Sequence, residues 1–274
     1  MKQVGANIYV ETDWQGCNPG FVTTSEGVVM IDCPHKPSDA KKWKATVSSK
    51  GVVRYLINTE PHIDHITCNY LFPGIVVSHQ GTREALQITR PELVLDYAKN
   101  LDPQGAHLLE DFWIRMPTVT FTDKMRLFVG EHTLELIHLP GHTSSEIAVH
   151  VHEEKVVFVG DNVFCEVQTW LQDALPFEWL ESLKKIAALE VDYIIPGHGN
   201  ICQKDYLKQQ TSIIQGWIDV MSRAIDEGMS HEEAAKMISS TEQYTKELGL
   251  GNFSPEVQLM NVRRLYDQLK KRKA

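Results

Sequence analysis

The sequence has few of the features that mark secreted or membrane proteins. Its 274 residues include only 5 cysteines, none in C-x-x-C spacing, so neither a disulfide framework nor a cysteine zinc knuckle is indicated. No uncharged run reaches the roughly 18 residues that a membrane helix needs. The first residues also lack the apolar stretch of a signal peptide. We therefore expect a cytoplasmic protein that has no membrane partner.

Positive charge is also scarce. Lys and Arg number 27 against 36 Asp and Glu, which gives a formal net charge of -9. An acidic surface repels phosphate backbones, and long basic tracts are missing, so no nucleic-acid partner is expected. Hydrophobic residues make up 42% and charged residues 23%, as in ordinary globular proteins. The composition therefore indicates a folded, globular protein.

The order of apolar runs and turns indicates an α/β protein with a helical end. Short strand-like runs alternate with helix-forming stretches up to about residue 200. From Lys204 onward the apolar residues recur at helical spacing. We predict one domain over residues 1–203 and a C-terminal helical extension over residues 204–274 that packs on it.

Two predicted helical regions bear on function. Residues 91–117 are polar and aromatic, and we predict a helical insert there that shapes a pocket. The region 255–271 carries an apolar stripe on one helix face. The stripe consists of Leu259, Val262, Leu265, Tyr266 and Leu269. Either a homodimer contact or an intrachain partner would bury this stripe, and the sequence favours neither.

Four segments place His, Asp or Glu on a turn just beyond an apolar strand. They are Glu60-Pro61-His62-Ile63-Asp64-His65, Pro140-Gly141-His142-Thr143, Val159-Gly160-Asp161-Asn162 and Ile195-Pro196-Gly197-His198-Gly199. Loops at the ends of strands often hold functional groups on a rigid scaffold. Imidazole and carboxylate ligands together suit Zn, Fe or Mn. The four segments therefore predict a metal site.

In order and spacing these segments resemble the metallo-β-lactamase superfamily. The usual signature of that family is His-x-His-x-Asp-His after a strand, followed by separate His, Asp and His ligands. The resemblance covers roughly residues 5 to 200. It implies a four-layer αββα sandwich of two mixed β-sheets, within the α/β class. It also implies two divalent metal ions, with zinc favoured.

The same resemblance implies two ligand sets joined by one bridging residue. The sets are Glu60, His62 and His142 for the first ion and Asp64, His65 and His198 for the second, with Asp161 as the bridge. In this scheme Asp64 would also orient the nucleophile or shuttle its proton.

Glu60 departs from the family signature, which has His at this place. Together with His62 and His142 it makes a set of two histidines and one carboxylate, a combination also used for non-haem iron. We expect this site to hold zinc less tightly, or to take Fe or Mn instead. In the alternative arrangement Glu60 points away and the first site stays empty.

Several functions fit these residues. The resemblance favours a metal-dependent hydrolase that uses a metal-bound hydroxide to cleave a small acyl substrate, namely an ester, thioester, lactone or β-lactam. A phosphodiesterase and an iron-dependent oxygen or sulfur redox enzyme on the same fold are alternatives. A binding or sensory protein with a decayed site is another. It is disfavoured because six of the seven ligand positions keep the expected residue type.

Other polar residues are given smaller roles. Asp32 is expected to brace a metal ligand from outside, and His35 to lie at the rim of the site without ligating. His79 follows a strand and is interpreted as a packing residue. His150 and His152 are interpreted as structural or exposed residues.

Overall fold

Short apolar runs pair into two β-sheets that pack face to face. In the computed structural model, which describes residues 1–239 and 254–273, the first sheet has seven strands in the order β1 to β7. They are β1 (Lys2–Val4), β2 (Ile8–Val10), β3 (Gly20–Thr24), β4 (Gly27–Ile31), β5 (Val53–Ile57), β6 (Ile75–His79) and β7 (Val119–Phe121). Neighbours are antiparallel from β1 to β4 and parallel from β4 to β7, so the sheet is mixed.

The second sheet has five strands and is also mixed. They are β8 (Lys124–Val129), β9 (His132–His138), β10 (Ile147–Val151), β11 (Val156–Phe158) and β13 (Tyr193–Ile195). Their order is β13-β11-β10-β9-β8, and only the β11–β13 pair is parallel. A separate parallel pair joins β12 (Phe164–Cys165) to β14 (His198–Gly199).

Helices cover the outer faces of both sheets. They are α1 (Pro37–Ser48), α2 (Ile63–Ile66), α3 (Gln80–Ile88), α4 (Pro91–Leu101), α5 (Pro176–Ala188), α6 (Tyr206–Asp226), α7 (His231–Ser239) and α8 (Pro255–Lys273). Trp43 of α1 packs on the first sheet, and Trp179 of α5 packs on the second. Between the sheets lies a separate apolar layer that includes Val29 and Val149. The four-layer αββα sandwich expected from the sequence is therefore confirmed.

The predicted helical insert over residues 91–117 is wrong in its second half. Helix α4 ends at Leu101, and a 3-10 segment, Pro103–Leu109, follows it before the chain becomes irregular. Pro103 lacks an N–H and cannot continue the helix. The Asp102 side chain instead accepts a hydrogen bond from Gly105 N at 3.0 Å and so caps the 3-10 segment.

The C-terminal helices bury their apolar stripe within the chain. Val262, Leu265 and Leu269 of α8 belong to the same core cluster as Ile214 of α6 and Trp179 of α5. An intrachain partner thus accounts for the stripe, while the domain division and the oligomeric state stay predictions. None of the helices within residues 1–239 and 254–273 has the length and hydrophobicity that a bilayer crossing requires.

Candidate metal centre

The seven residues singled out in the sequence meet at one end of the sandwich. Each residue follows the carboxyl end of a strand. The seven side chains meet because these strand ends lie together. Glu60, His62, Asp64 and His65 follow β5 on a loop and on α2, His142 follows β9, Asp161 follows β11 and His198 follows β13.

Glu60 faces the first pair of histidines rather than pointing away. Its Oε2 lies 2.5 Å from His62 Nδ1, and its Oε1 lies 4.0 Å from His142 Nε2. The same two histidine nitrogens are 3.2 Å apart. The alternative in which Glu60 leaves the first site empty by turning outward is therefore wrong.

Asp161 lies between two groups of residues. Glu60, His62 and His142 form the first group, and Asp64, His65 and His198 form the second. Asp161 Oδ1 is 3.3 Å from His65 Nε2, and its Oδ2 is 3.4 Å from His198 Nε2 and 3.5 Å from His142 Nε2. Asp64 Oδ2 completes the second group at 3.1 Å from His198 Nε2. The arrangement has the connectivity expected of a bridging carboxylate flanked by two ligand sets.

Several buried polar atoms of this cluster lie close to one another but make no hydrogen bond of regular geometry to a described residue. They are both carboxylate oxygens of Glu60, Nε2 of His65 and Oδ1 of Asp161. Nearly all buried polar groups in folded proteins are paired, because leaving one unpaired is costly. Converging carboxylate oxygens and imidazole nitrogens are also the donors that divalent transition metals prefer. The residues present therefore fit metal ions.

The carboxylates strongly stabilise positive charge in the cluster. Burial would lower the pKa of His198, but Asp161 and Asp64 outweigh it and raise the pKa to about 10. Burial likewise opposes ionisation of His62, yet Glu60 and Asp173 hold its pKa well above the ordinary value. The site is thus built to hold cations.

Asp32 braces His65 from outside the cluster, as expected. Its Oδ2 lies 2.9 Å from His65 Nδ1, and its Oδ1 accepts a hydrogen bond from Thr59 N at 2.8 Å. The backbone of Asp32 has a φ of 55°, a left-handed conformation that non-glycine residues seldom adopt. Fixing Nδ1 in this way directs Nε2 of His65 into the cluster.

A loop before α5 provides two further supports that sequence reasoning missed. The Trp170 carbonyl oxygen lies 2.9 Å from His142 Nδ1, and Asp173 Oδ2 lies 2.9 Å from His62 Nε2. Both contacts orient a ligand histidine through its outer nitrogen. A carbonyl group leaves no mark in a sequence, and Asp173 stands in no recognisable motif.

Glu146 is a third missed residue. It is buried, and its Oε1 accepts a hydrogen bond from Asp161 N at 3.0 Å, while Oε2 lies 3.2 Å from Thr143 Oγ1. Gly160, at a φ of 51°, passes so close that a Cβ there would strike the Glu146 carboxyl. Burial, reinforced by Glu60, raises the pKa of Glu146 well above its usual value. Glu146 therefore fixes the backbone that carries Asp161.

The C-terminal helix α8 holds the loop that supports the histidines. Asn261 is fully buried; its Oδ1 accepts from Leu171 N at 2.7 Å and its Nδ2 donates to Thr169 O at 2.9 Å. These bonds flank Trp170 on both sides. Arg264 also donates to the Asp173 carbonyl oxygen at 2.9 Å. The helical extension is thus part of the site's scaffold.

Replacing Asn261 with alanine is expected to destabilise the protein and weaken the first metal site. Leu171 N and Thr169 O would lose their buried partner, at a cost of about 1–3 kcal/mol in the free energy of unfolding. Loosening Trp170 should weaken metal binding by about 10–100-fold, as loss of outer support commonly does. Urea unfolding and a competing chelator measure the two effects. Gln215→Ala, on the exposed side of α6, is the control, and equal behaviour of both variants would contradict the role.

A cavity of about 760 Å³ opens onto the cluster. Aromatic residues form much of its wall, namely Trp14, Tyr97, Phe164 and Trp170. Within the parts of the chain that the structure describes, no Lys or Arg lines it. His35 is buried in this wall and stacks on Tyr97 at 5.4 Å between ring centroids. Burial lowers the pKa of His35 to about 4, so the ring is neutral at pH 7.

His79 lies outside the cluster, in agreement with its predicted packing role. Its Nδ1 accepts a hydrogen bond from Gly81 N at 3.0 Å and caps α3. Its ring stacks on His138 with 4.0 Å between centroids.

Comparison with known proteins gives one family. The family model of the metallo-β-lactamase superfamily matches residues 12–198. Among curated proteins, "Hydroxyacylglutathione hydrolase" of Erythrobacter litoralis is 36% identical over 176 residues, which is 63% of this chain and 59% of that protein. "Acyl-coenzyme A thioesterase MBLAC2" of Homo sapiens is 24% identical over 154 residues, 53% of this chain and 55% of that protein.

The chain spans less than two thirds of these relatives. "Beta-lactamase-like protein 2 homolog" of Caenorhabditis elegans is 35% identical over 82 residues, 30% of this chain and 27% of that protein. Among solved structures, a metallo-β-lactamase family protein from Thermus thermophilus has a TM-score of 0.70 at 16% identity and covers 98% of this chain and 94% of its own. At that identity the likeness shows the fold alone.

Proposed function

The chain belongs to the metallo-β-lactamase superfamily, and we propose that it is a metal-dependent hydrolase of a small acyl substrate. The observation that carries this proposal is the convergence of buried ligand atoms of Glu60, His65 and Asp161, which make no hydrogen bond of regular geometry, beside a cavity with aromatic residues in its wall. The first ion would take Glu60, His62 and His142, the second would take Asp64, His65 and His198, and Asp161 would bridge them.

Bound divalent ions would polarise the substrate carbonyl as Lewis acids and lower the pKa of a water molecule. Asp64 lines the cavity, with its side chain 21% exposed. Burial favours its neutral form, but His65 and His198 outweigh burial and hold its pKa below the usual range. Asp64 is therefore an ionised acceptor at neutral pH. It orients the attacking water by accepting a hydrogen bond from it.

The chemistry of the cavity favours a neutral acyl group over a phosphodiester. Beyond the cluster itself, no Lys or Arg within the described residues lines the cavity. A phosphodiester would therefore find no cationic side chain on the wall to bind its negative charge, whereas aromatic side chains bind an apolar acyl chain well. The names of the relatives, a thioesterase and a hydroxyacylglutathione hydrolase, support the same class.

An iron-dependent oxygen or sulfur redox enzyme is the second candidate. The observation that favours it is the inward-facing carboxylate of Glu60 beside His62 and His142. Expression in medium that supplies iron and zinc equally, followed by metal analysis and assays of each metal form, separates the two functions. Hydrolysis by the zinc form together with an inactive iron form would reject the redox hypothesis.

Hydrolysis of two nitrophenyl substrates tests the main proposal. The metal-loaded protein is expected to cleave p-nitrophenyl acetate with a kcat/KM at least ~100-fold above that for bis(p-nitrophenyl) phosphate, or about 2.7 kcal/mol. The two compounds share a leaving group, so the same p-nitrophenolate release reads both reactions, and each rate is corrected for that of the uncatalysed reaction. Dialysis against a chelator should abolish turnover, and added Zn²⁺ should restore it. Turnover that survives the chelator, or faster cleavage of the phosphate, would contradict the proposal.

A further inference from the structure

A second group of metal-ligating side chains lies on the second sheet, away from the catalytic cluster. Glu135, His150 and His152 each offer one ligand atom, and these atoms all lie within 4.8 Å of one another. The pairing of β9 with β10 sets Glu135 opposite His150. His152 comes two residues later and shares the face of His150 by the period of a strand. The two rings are 4.1 Å apart between centroids.

This group is remote from the centre described above. The N-terminal residue of β10, Ile147, donates its N–H to Thr59 O, next to Glu60. His150 and His152 lie toward the other end of the same strand and beyond it. A change at His152 therefore does not touch the catalytic machinery.

The environment of His150 suits a metal ligand. It is only 5% exposed, and neither ring nitrogen makes a hydrogen bond of regular geometry to a described residue. Burial and the neighbouring His152 lower its pKa, so the ring is neutral and able to ligate. The Glu190 backbone raises that pKa in part.

Arg126 binds only one of the two carboxylate oxygens of Glu135. Its Oε1 accepts from Arg126 Nη2 at 3.0 Å and from Nε at 3.2 Å, whereas Oε2 lies 3.5 Å from His152 Nε2. Burial favours the neutral acid, but Arg126 outweighs it and lowers the pKa of Glu135, so the group is ionised. The His152 side chain is 39% exposed and gives an ion a path from solvent.

We propose that Glu135, His150 and His152 form a separate binding site for a divalent transition-metal ion of the Zn²⁺ or Cu²⁺ class. Two imidazoles and a carboxylate are a common protein ligand set for such ions, with a remaining position open to water. An ion held there would join β9 to the end of β10 and stabilise the second sheet.

The stoichiometry of zinc binding tests this site. The holoprotein, with its catalytic centre loaded and excess metal removed, is titrated with Zn²⁺ alone against a chromophoric chelator. We expect one further equivalent in the wild type, and its loss in His152→Ala with hydrolytic activity unchanged. The substitution His107→Ala, at an exposed position, serves as control. This variant should still bind the further equivalent of Zn²⁺. No further equivalent in the wild type, or an unchanged one in His152→Ala, overturns the proposal.

A second variant is expected to change the affinity for Zn²⁺ in the opposite direction. Arg126 is largely exposed and competes as a cation for Glu135. Arg126→Met should therefore tighten Zn²⁺ binding and increase the rise in Tm that Zn²⁺ causes. Weaker binding in this variant would count against Glu135 as a ligand. A Cu²⁺ spin-resonance spectrum with coupling to two nitrogens in the wild type and one in His152→Ala supports the assignment, and identical spectra contradict it.

Discussion

Replacing Asp161 with alanine is expected to remove both metal loading and turnover. Its two oxygens face His65, His142 and His198 at 3.3 to 3.5 Å, so it connects both ligand sets. Glu60 also reaches both sets, with Oε2 2.5 Å from His62 Nδ1 and Oε1 3.2 Å from His65 Nε2, but it is Asp161 that joins His142 to His198. We expect kcat/KM to fall by at least ~10³-fold, equivalent to about 4 kcal/mol of transition-state stabilisation.

The fold should survive this change. The Asp161 side chain contacts histidines of the cluster, whereas it is the backbone N–H of Asp161 that binds Glu146, so the backbone support remains when the carboxylate is removed. Metal content by mass spectrometry, Tm and hydrolysis are measured together. Asp173→Asn is the graded control: the Asp173 carboxylate contacts the outer nitrogen of His62, so this variant should lower metal affinity by about 10–100-fold. An Asp161→Ala protein that keeps both ions and its turnover would remove Asp161 from the assignment.

Replacing Glu60 with histidine is expected to shift the first site toward zinc. Glu60 is fully buried and contributes a hard, anionic oxygen between His62 and His142. Imidazole suits zinc, whereas carboxylate favours Mn and other hard ions. In a medium with equal Zn, Mn and Fe, the zinc-to-manganese ratio should rise at least ~10-fold, or about 1.4 kcal/mol.

A second variant keeps this prediction testable if histidine packs poorly. Glu60→Gln keeps the shape of the side chain but removes its charge, so the first site should empty while the second keeps its ion. Anomalous scattering at the zinc, manganese and iron edges reads occupancy site by site. Equal metal ratios in the wild type and Glu60→His would show that Glu60 does not set metal preference.

The layout of the domain follows closely from local sequence patterns. Apolar runs bounded by turns mark strands such as β5 and β9, and Pro or Gly next to His142, Asp161 and His198 marks the loops. These signals are local, because strand period and turn chemistry act over a few residues. They predicted an α/β domain with candidate ligands at the strand ends, whereas the four-layer sandwich and the two ligand sets were expected from the resemblance to the family.

Features that depend on distant partners could not be predicted in this way. The 91–117 segment has helical composition, but Asp102 caps a 3-10 turn and also accepts from Ser38 N, 64 residues away. His150 and His152 look unremarkable in sequence because Glu135 reaches them only through the pairing of β9 with β10. Composition does not encode such contacts.

By itself the sequence determined which residue types stand at the strand ends, including the carboxylate of Glu60 in place of an imidazole. Only the tertiary structure decided how they are held: Glu60 facing inward, Asp173 supporting His62 from 111 residues away, and Asn261 fixing the loop at Thr169 from 92 residues away. The physical reason is that propensity and turn chemistry act locally. The orientation of a buried polar group depends instead on which partners the packed chain brings within hydrogen-bond distance.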